Sequence, residues 1–390
     1  MNRTLLSTLL CACLATLTSG CSEAPAANLG AQQSNRLSPE TIAEGQRIFR
    51  YDTFGDEQLW TDRLRMHEVV QTLDPTTALA VGLKVDADAV PADVLANADL
   101  GDPATTVALL KLNAVVGVQA SVDADNRITQ LGITCALCHS TVDDSVLPGI
   151  GHRLDGWPNR DLDPGRIIAL SPALPDATKA VYNSWGPGKY DPRFNIDGLS
   201  TPLVLPPAYG LHGIRNETYT GDGPVSYWNA YVAVTQMGGH GNFRDDRLGI
   251  NIVQTPDLVT SKLPALRAYQ LSLSAPAPPP GSYDAAAALR GKAVFARNCM
   301  GCHVGSDGTD NNSGRLHAPE ETGMDGAYAA RTANKAYRTT PLRGLWQHPP
   351  YFHDGSAATL DDVVTHYDAV LQLQLSEAQR ADLAEYLRTL

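Results

Sequence analysis

The sequence predicts a mainly α-helical protein in two domains, each organised around one copy of a Cys-x-x-Cys-His pentad. Three observations carry this. The pentad occurs twice in 390 residues, as Cys135-Ala136-Leu137-Cys138-His139 and Cys299-Met300-Gly301-Cys302-His303. Helical patterns flank the second copy on both sides. A Pro-rich spacer, Ser274-Ala275-Pro276-Ala277-Pro278-Pro279-Pro280-Gly281-Ser282, separates the two halves.

Taken in chain order, the first element is an export signal over residues 1–20: Arg3, an apolar run from Leu5 to Leu17, then small residues. That run is too short to span a bilayer comfortably. Leu17-Thr18-Ser19-Gly20-Cys21 resembles the bacterial lipoprotein box, with Thr18 where Leu is usual, so Cys21 is the expected lipid-attachment residue. Residues 21–36 are small and polar, as in a tether. Residues 37–273 form the first domain, with excess chain at 51–134 and at 153–235, the latter dense in Gly and Pro and expected to be loops with short helices. No strand hairpin and no repeat beyond the two pentads is evident. After the 274–282 linker, Asp284 to Arg297 reads as an Ala-rich helix leading into the second pentad. Thr359 and Asp362 make a capping box for the next helix, and Ser376 caps an amphipathic last one. On a helical wheel Leu360, Val363, Val364, Tyr367, Val370 and Leu371 share one face, which carries Tyr367 inward and leaves His366 off the stripe.

Cys-x-x-Cys-His is the attachment motif of c-type haem. Two thiols add across the vinyl groups and the following imidazole becomes a proximal iron ligand. Structural zinc sites usually take four ligands from paired Cys-x-x-Cys units without an adjoining His, so they fit less well. Two covalently bound haem c groups are therefore expected, on Cys135, Cys138 and His139 and on Cys299, Cys302 and His303. Cys11 and Cys13 would leave with the signal, and no pair then remains for a structural disulfide. Helix, pentad, loops and closing helix over 283–390 outline a small cytochrome c domain; 37–273 is a larger, loop-rich counterpart. A formal charge of −12 argues against nucleic acid and against a polybasic membrane contact. It suits a basic electron-transfer partner.

The segment Thr340-Pro341-Leu342-Arg343-Gly344-Leu345-Trp346, with Pro350-Tyr351-Phe352-His353-Asp354-Gly355-Ser356 beyond it, resembles the bacterial di-haem cytochrome c peroxidases and the MauG-type enzymes. The resemblance is specific over about 285–390 and patchy before that. It implies two cytochrome c-like haem domains, electron entry at the C-terminal haem, and peroxide or dioxygen activation at the N-terminal one. It also implies Tyr367 as sixth ligand of the second haem, with His366 as the alternative and a buried, hydrogen-bonded Tyr as the structural one. Ile150-Gly151-His152 is similar to a segment whose His is a detachable sixth ligand of the first haem in the peroxidases, which makes His152 a candidate; a surface loop histidine is the rival reading. The pattern then departs: Gly221 stands where the family has a Trp between the haems, and Pro224 replaces an Arg. Trp228, Trp185 and Trp157 are the substitutes on offer. Gln236, His240, Glu217 and Asp222 are candidates for the group that moves a proton on a bound oxidant, while Met237 or His240 as a permanent ligand would close that iron. Residues 48–60 and 64–68 are similar to part of the di-haem rubber oxygenases, which keeps an oxygenase acting on an apolar substrate as an alternative, beside a pure electron-transfer cytochrome. The peroxidases bind calcium near the strand matching Thr340 and Pro341, so Ca2+ is carried as an option. The implied partners are a small electron-donor protein (cytochrome c or cupredoxin) and a small-molecule oxidant. The implied location is the periplasm, with an outer-membrane lipid anchor as the sole membrane contact.

Overall fold

The computed structural model describes residues 38–390. The export signal, the Cys21 attachment and the tether lie outside the described residues.

The frame is a helix pair used twice. In the first half, α1 (Pro39–Tyr51) starts at Ser38, whose hydroxyl accepts from the Thr41 amide, with Pro39 in the first turn. It crosses α3 (Leu263–Ser272) at Gly45, where a Cβ would run into the Ala265 carbonyl. In the second half, α4 (Ala285–Asn298), capped by Asp284, crosses α6 (Glu377–Leu387) at Gly291, where a Cβ would run into the Asp382 carbonyl. Four residues after each glycine comes a Phe that meets a Tyr of the partner helix: Phe49 against Tyr269 at 5.5 Å and Phe295 against Tyr386 at 5.2 Å. Phe49 is fully buried, which is worth about 1.5–3 kcal/mol. A structural repeat thus extends beyond the pentads. It escapes a sequence reading because α4 runs straight into Cys299, whereas 83 residues (52–134) intervene between α1 and Cys135.

That insertion folds as a satellite with its own core, including Trp60, Met66, Leu109, Leu110, Val115 and Leu131. It contains a hairpin that the sequence reading did not expect: β1 (Val118–Val122) pairs antiparallel with β2 (Ile128–Ile133). The turn, Asp123 to Arg127, lacks an Asn-Gly signature. Instead Asp123 Oδ1 accepts from the amides of Asp125 and Arg127, and Asn126 takes a φ of 61°. A register shift at Ser121/Val122 further blurs the alternation. Residues 153–235 are mostly loops and short helices up to α2 (Val225–Thr235), with short strands at Arg153–Asp155, Lys189–Tyr190 and Leu203–Val204 that the sequence reading did not expect.

The last domain follows its predicted caps. Thr359 and Asp362 cap α5 (Leu360–Val370) reciprocally, and Ser376 and Gln379 do the same for α6. Residues 274–282 contain no helix or strand. The two halves are tied directly: Arg343 donates to the Gly210 and His212 carbonyls at 2.6 and 2.7 Å, the Val204 amide to the His353 carbonyl at 2.8 Å. The buried Arg331 guanidinium pairs with Asp191 and Asp197 of the first half. Among the described residues no helix is long and apolar enough to cross a membrane.

Candidate cofactor site

Each pentad folds into one turn that returns its histidine amide to the carbonyl of its first cysteine, at 3.2 Å for His139 on Cys135 and 3.0 Å for His303 on Cys299. All four cysteines are free of disulfides. Burial pushes the thiols of Cys135 and Cys138 up to about 12 and that of Cys299 up to about 11, so they stay neutral. The imidazoles are held alike. His139 Nδ1 lies 2.9 Å from the Pro206 carbonyl and His303 Nδ1 2.9 Å from the Gly308 carbonyl. Nδ1 is therefore the protonated nitrogen and Nε2 keeps its lone pair for a metal. Burial lowers His139 to about 4 and lowers His303 as well, favouring the neutral, ligating form.

After the first pentad the chain is anchored by a buried carboxylate. β3 (Ser140–Val142) pairs with β4 (Arg153–Asp155), and Asp155 accepts from Ser140, Arg153, Arg50 of α1 and Tyr269 of α3. Thus one side chain fixes His139 relative to the helix pair.

Both pentads open on a single, largely apolar cavity of about 520 Å³. Cys138 and His139 of the first pentad line it together with Cys299, Cys302 and His303 of the second, and its size is in the range of cofactor pockets. Two arginines in its wall test whether haem fits. Arg160 donates to the Leu205 and His348 carbonyls at 2.7 and 3.1 Å, and its buried Nε has no partner. Arg338 donates to the Thr218 and Glu217 carbonyls at 2.6 and 3.2 Å. Among the described residues neither has a carboxylate partner; burial lowers both, Arg338 to about 10. A buried guanidinium facing a cavity without its counter-charge asks for an anion. The propionates of haem are such anions, so the donor set and the wall chemistry both fit the group. No pattern in the sequence marks either arginine.

The candidate sixth ligands separate clearly. Tyr367 lines the cavity beside the second pentad, with Leu360, Val363, Val364 and Leu371 of the same stripe; Val370, predicted to join them, is 38% exposed at the helix end. The Tyr367 ring lies 5.8 Å from Phe352, burial pushes its hydroxyl up to about 12, and that hydroxyl makes no hydrogen bond among the described residues. His366 instead gives Nε2 to the Thr322 carbonyl at 2.9 Å and is not in the wall. In the first half the histidine expectations need correction. His152 is an exposed loop residue whose Nδ1 lies 2.9 Å from Asp88, and His240 Nδ1 lies 2.6 Å from the Pro256 carbonyl; neither lines the cavity. Gln236, Met237 and Glu217 do. The Gln236 amide accepts from Tyr190 and donates to Asn195 and Thr235. Glu217, raised by burial, accepts from Arg267 and the Val225 amide. Asp222 is bonded to Thr220 outside the wall.

Of the three tryptophans, Trp228 lines the cavity, Trp185 packs in an aromatic cluster with Tyr182 and Phe194, and Trp157 crosses to the second half, edge-on to Trp346 at 5.7 Å. Sequence reasoning missed three wall histidines, two of them buried, His317 and His353. His348 Nε2 meets the Tyr209 hydroxyl at 3.1 Å, His353 Nε2 the Tyr337 hydroxyl at 3.0 Å, and His317 sits between Asp310 and Glu321. His353 lay within the quoted block and was the findable one. Thr340 and Pro341, linked to calcium by resemblance, are wall residues of this cavity.

Residues 288–390 match the Cytochrome c family. The chain is 29% identical to the methylamine utilization protein MauG of Methylophilus methylotrophus, over 26% of this chain and 36% of that one. It is 25% identical to the uncharacterized protein y4iJ of Sinorhizobium fredii, over 22% and 27%. The match thus spans about a third or less of each relative's length. Among solved structures, Kuenenia stuttgartiensis hydrazine synthase aligns with a TM-score of 0.35 at 19% identity, over 50% of this chain and 74% of that one. A MauG-like protein associated with microbial copper homeostasis aligns at 0.27 and 19%, over 36% and 62%. The C-terminal segment is therefore a cytochrome c domain, and the rest of the chain carries a second pentad that opens on the same cavity.

Proposed function

We propose that this protein is an exported di-haem c-type oxidoreductase of the MauG and di-haem peroxidase kind. The reading rests above all on one cavity shared by two haem-attachment pentads, each with its histidine Nδ1 held by a backbone carbonyl. When bound, the two haems would supply the redox chemistry, with electrons entering at the Cys299–His303 end and peroxide or dioxygen taken up at the Cys135–His139 end.

The chain's own contributions follow. Cys135, Cys138, Cys299 and Cys302 would carry the thioethers, and His139 and His303 the proximal nitrogens. Arg160 and Arg338 would pair with propionates and hold the rings in register. Among the described residues Tyr367 has no competing hydrogen bond, and it would offer a phenolate, a hard anionic ligand that suits higher iron oxidation states. On the first side Gln236 is a neutral amide that cannot carry a proton at neutral pH, and its two Nε2 hydrogens already go to Asn195 and Thr235. Among the described residues Glu217 is the one carboxylate that the first half contributes to the wall, and the upward shift that burial gives it suits proton transfer. Export, periplasmic residence with Cys21 lipidated, and a small cytochrome or cupredoxin donor complete the proposal. Met237 favours a second reading. Its buried thioether reaches the same wall, and as a permanent ligand it would leave a pure electron carrier.

Cyanide and peroxide binding to the oxidised protein, followed by visible spectroscopy, separate the two. Spectral change at one haem supports catalysis; inertness at both leaves the carrier.

A further inference from the structure

The satellite core of the insertion encloses a second cavity of about 70 Å³. Met66, Leu109, Leu110, Val115 and Leu131 line it, all of them buried. Its two polar wall residues are engaged elsewhere: Thr106 donates to the Leu73 carbonyl at 2.6 Å, and Lys84 Nζ is drawn to Asp161 at 2.5 Å. A water there would lose its hydrogen bonds, and apolar cavities of this kind stay dry and take up apolar guests. The partition between it and the large cavity is one side chain thick. Trp60, Ile133, Leu137 and Ile167 each line both spaces, and Leu137 is itself an inner residue of the first pentad. Close packing normally removes such voids.

We propose that this annex is a dioxygen-staging site serving the cavity around the first pentad. Dioxygen is apolar and small enough for the volume, whereas peroxide, which must keep its hydrogen bonds, is excluded from it. Occupancy of the annex stands on the cavity alone; its service to an iron rests on the proposed function.

The test uses the holoprotein and xenon as the apolar probe. Crystals under xenon pressure should show one xenon atom among Met66, Leu109 and Val115, and Ala78→Leu or the milder Val118→Leu should remove it. Ordered water in the annex, or no xenon, overturns the proposal. Carbon monoxide photolysed from the reduced protein should then rebind with a slow phase that xenon suppresses and that falls several-fold in either variant. Xenon binding with rebinding unchanged overturns the staging role. Absence of any carbon monoxide complex overturns the reaction reading and the staging role with it, whatever xenon does.

Discussion

Replacing Tyr367 by Phe separates a metal ligand from a packing residue. The ring contacts with Phe352 at 5.8 Å and His366 at 5.3 Å survive the change, and the hydroxyl has no hydrogen bond to lose. Stability should therefore fall by less than about 1 kcal/mol, the net worth of one ordinary hydrogen bond. Tyr337→Phe is the internal control. Its hydroxyl meets the Ala329 amide at 3.2 Å, the Asp325 carbonyl at 2.9 Å and His353 Nε2 at 3.0 Å. Removing it strands buried groups and should cost about 1–3 kcal/mol, without loss of an iron ligand. The Tyr367 variant should do the reverse. Loss of an anionic ligand should raise one haem's potential by roughly 100 mV or more, within the roughly 0.8 V that axial ligands span. Urea titration and spectroelectrochemistry measure the two quantities. A Tyr367→Phe protein with both spectra and potentials unaltered, or destabilised like the Tyr337 variant, refutes the ligand assignment.

Three further outcomes follow from the same structure. Gly291→Ala should destabilise the cytochrome c domain by about 1–3 kcal/mol, because its Cβ meets the Asp382 carbonyl and the Tyr386 Cβ rather than a yielding side-chain tip; urea unfolding followed by far-ultraviolet dichroism reads this. Asp56 is buried against the Ile133 amide, and burial raises it to about 9. The unfolded chain ionises near pH 4 while the folded one stays neutral to about pH 9. Its contribution is thus present in acid and lost as pH rises, at up to about 1.4 kcal/mol per pH unit; Asp56→Asn should flatten that part of the stability–pH curve. Arg338→Gln removes a buried cation, so one haem's potential should fall, by up to about 70 mV if the charge lies roughly 10 Å from iron at an effective dielectric of 20. Arg338→Lys should restore most of it.

The last domain was legible because its signals are local. Ser376 and Thr359 cap helices through residues three positions away, and the Leu360–Leu371 stripe repeats at helical spacing, so it failed only at its exposed end, Val370 and Leu371. The pentads were legible because attachment chemistry demands adjacent residues. The first domain hid its kinship because the insertion separates Gly45 and Phe49 from Cys135; comparing Gly45-x-x-x-Phe49 with Gly291-x-x-x-Phe295 would have exposed the shared helix crossing. His152 misled because a three-residue likeness says nothing of direction, and His240 was offered on residue type alone; Asp88 and the Pro256 carbonyl hold them elsewhere. Arg160 and Arg338 had no readable signal at all. Their meaning comes from a cavity assembled by segments nearly 200 residues apart, and burial of that kind is not written in any local pattern.

The account's central claim is that two haems share this cavity and that the one beside His139 can accept an exogenous ligand while the one beside His303 cannot. Electron paramagnetic resonance of the oxidised protein, titrated with cyanide, addresses it most directly. The account predicts two ferric signals, of which one converts to a cyanide-bound low-spin form and the other stays as it was. Two low-spin signals unmoved by cyanide, or a single haem signal in the intact protein, would contradict it.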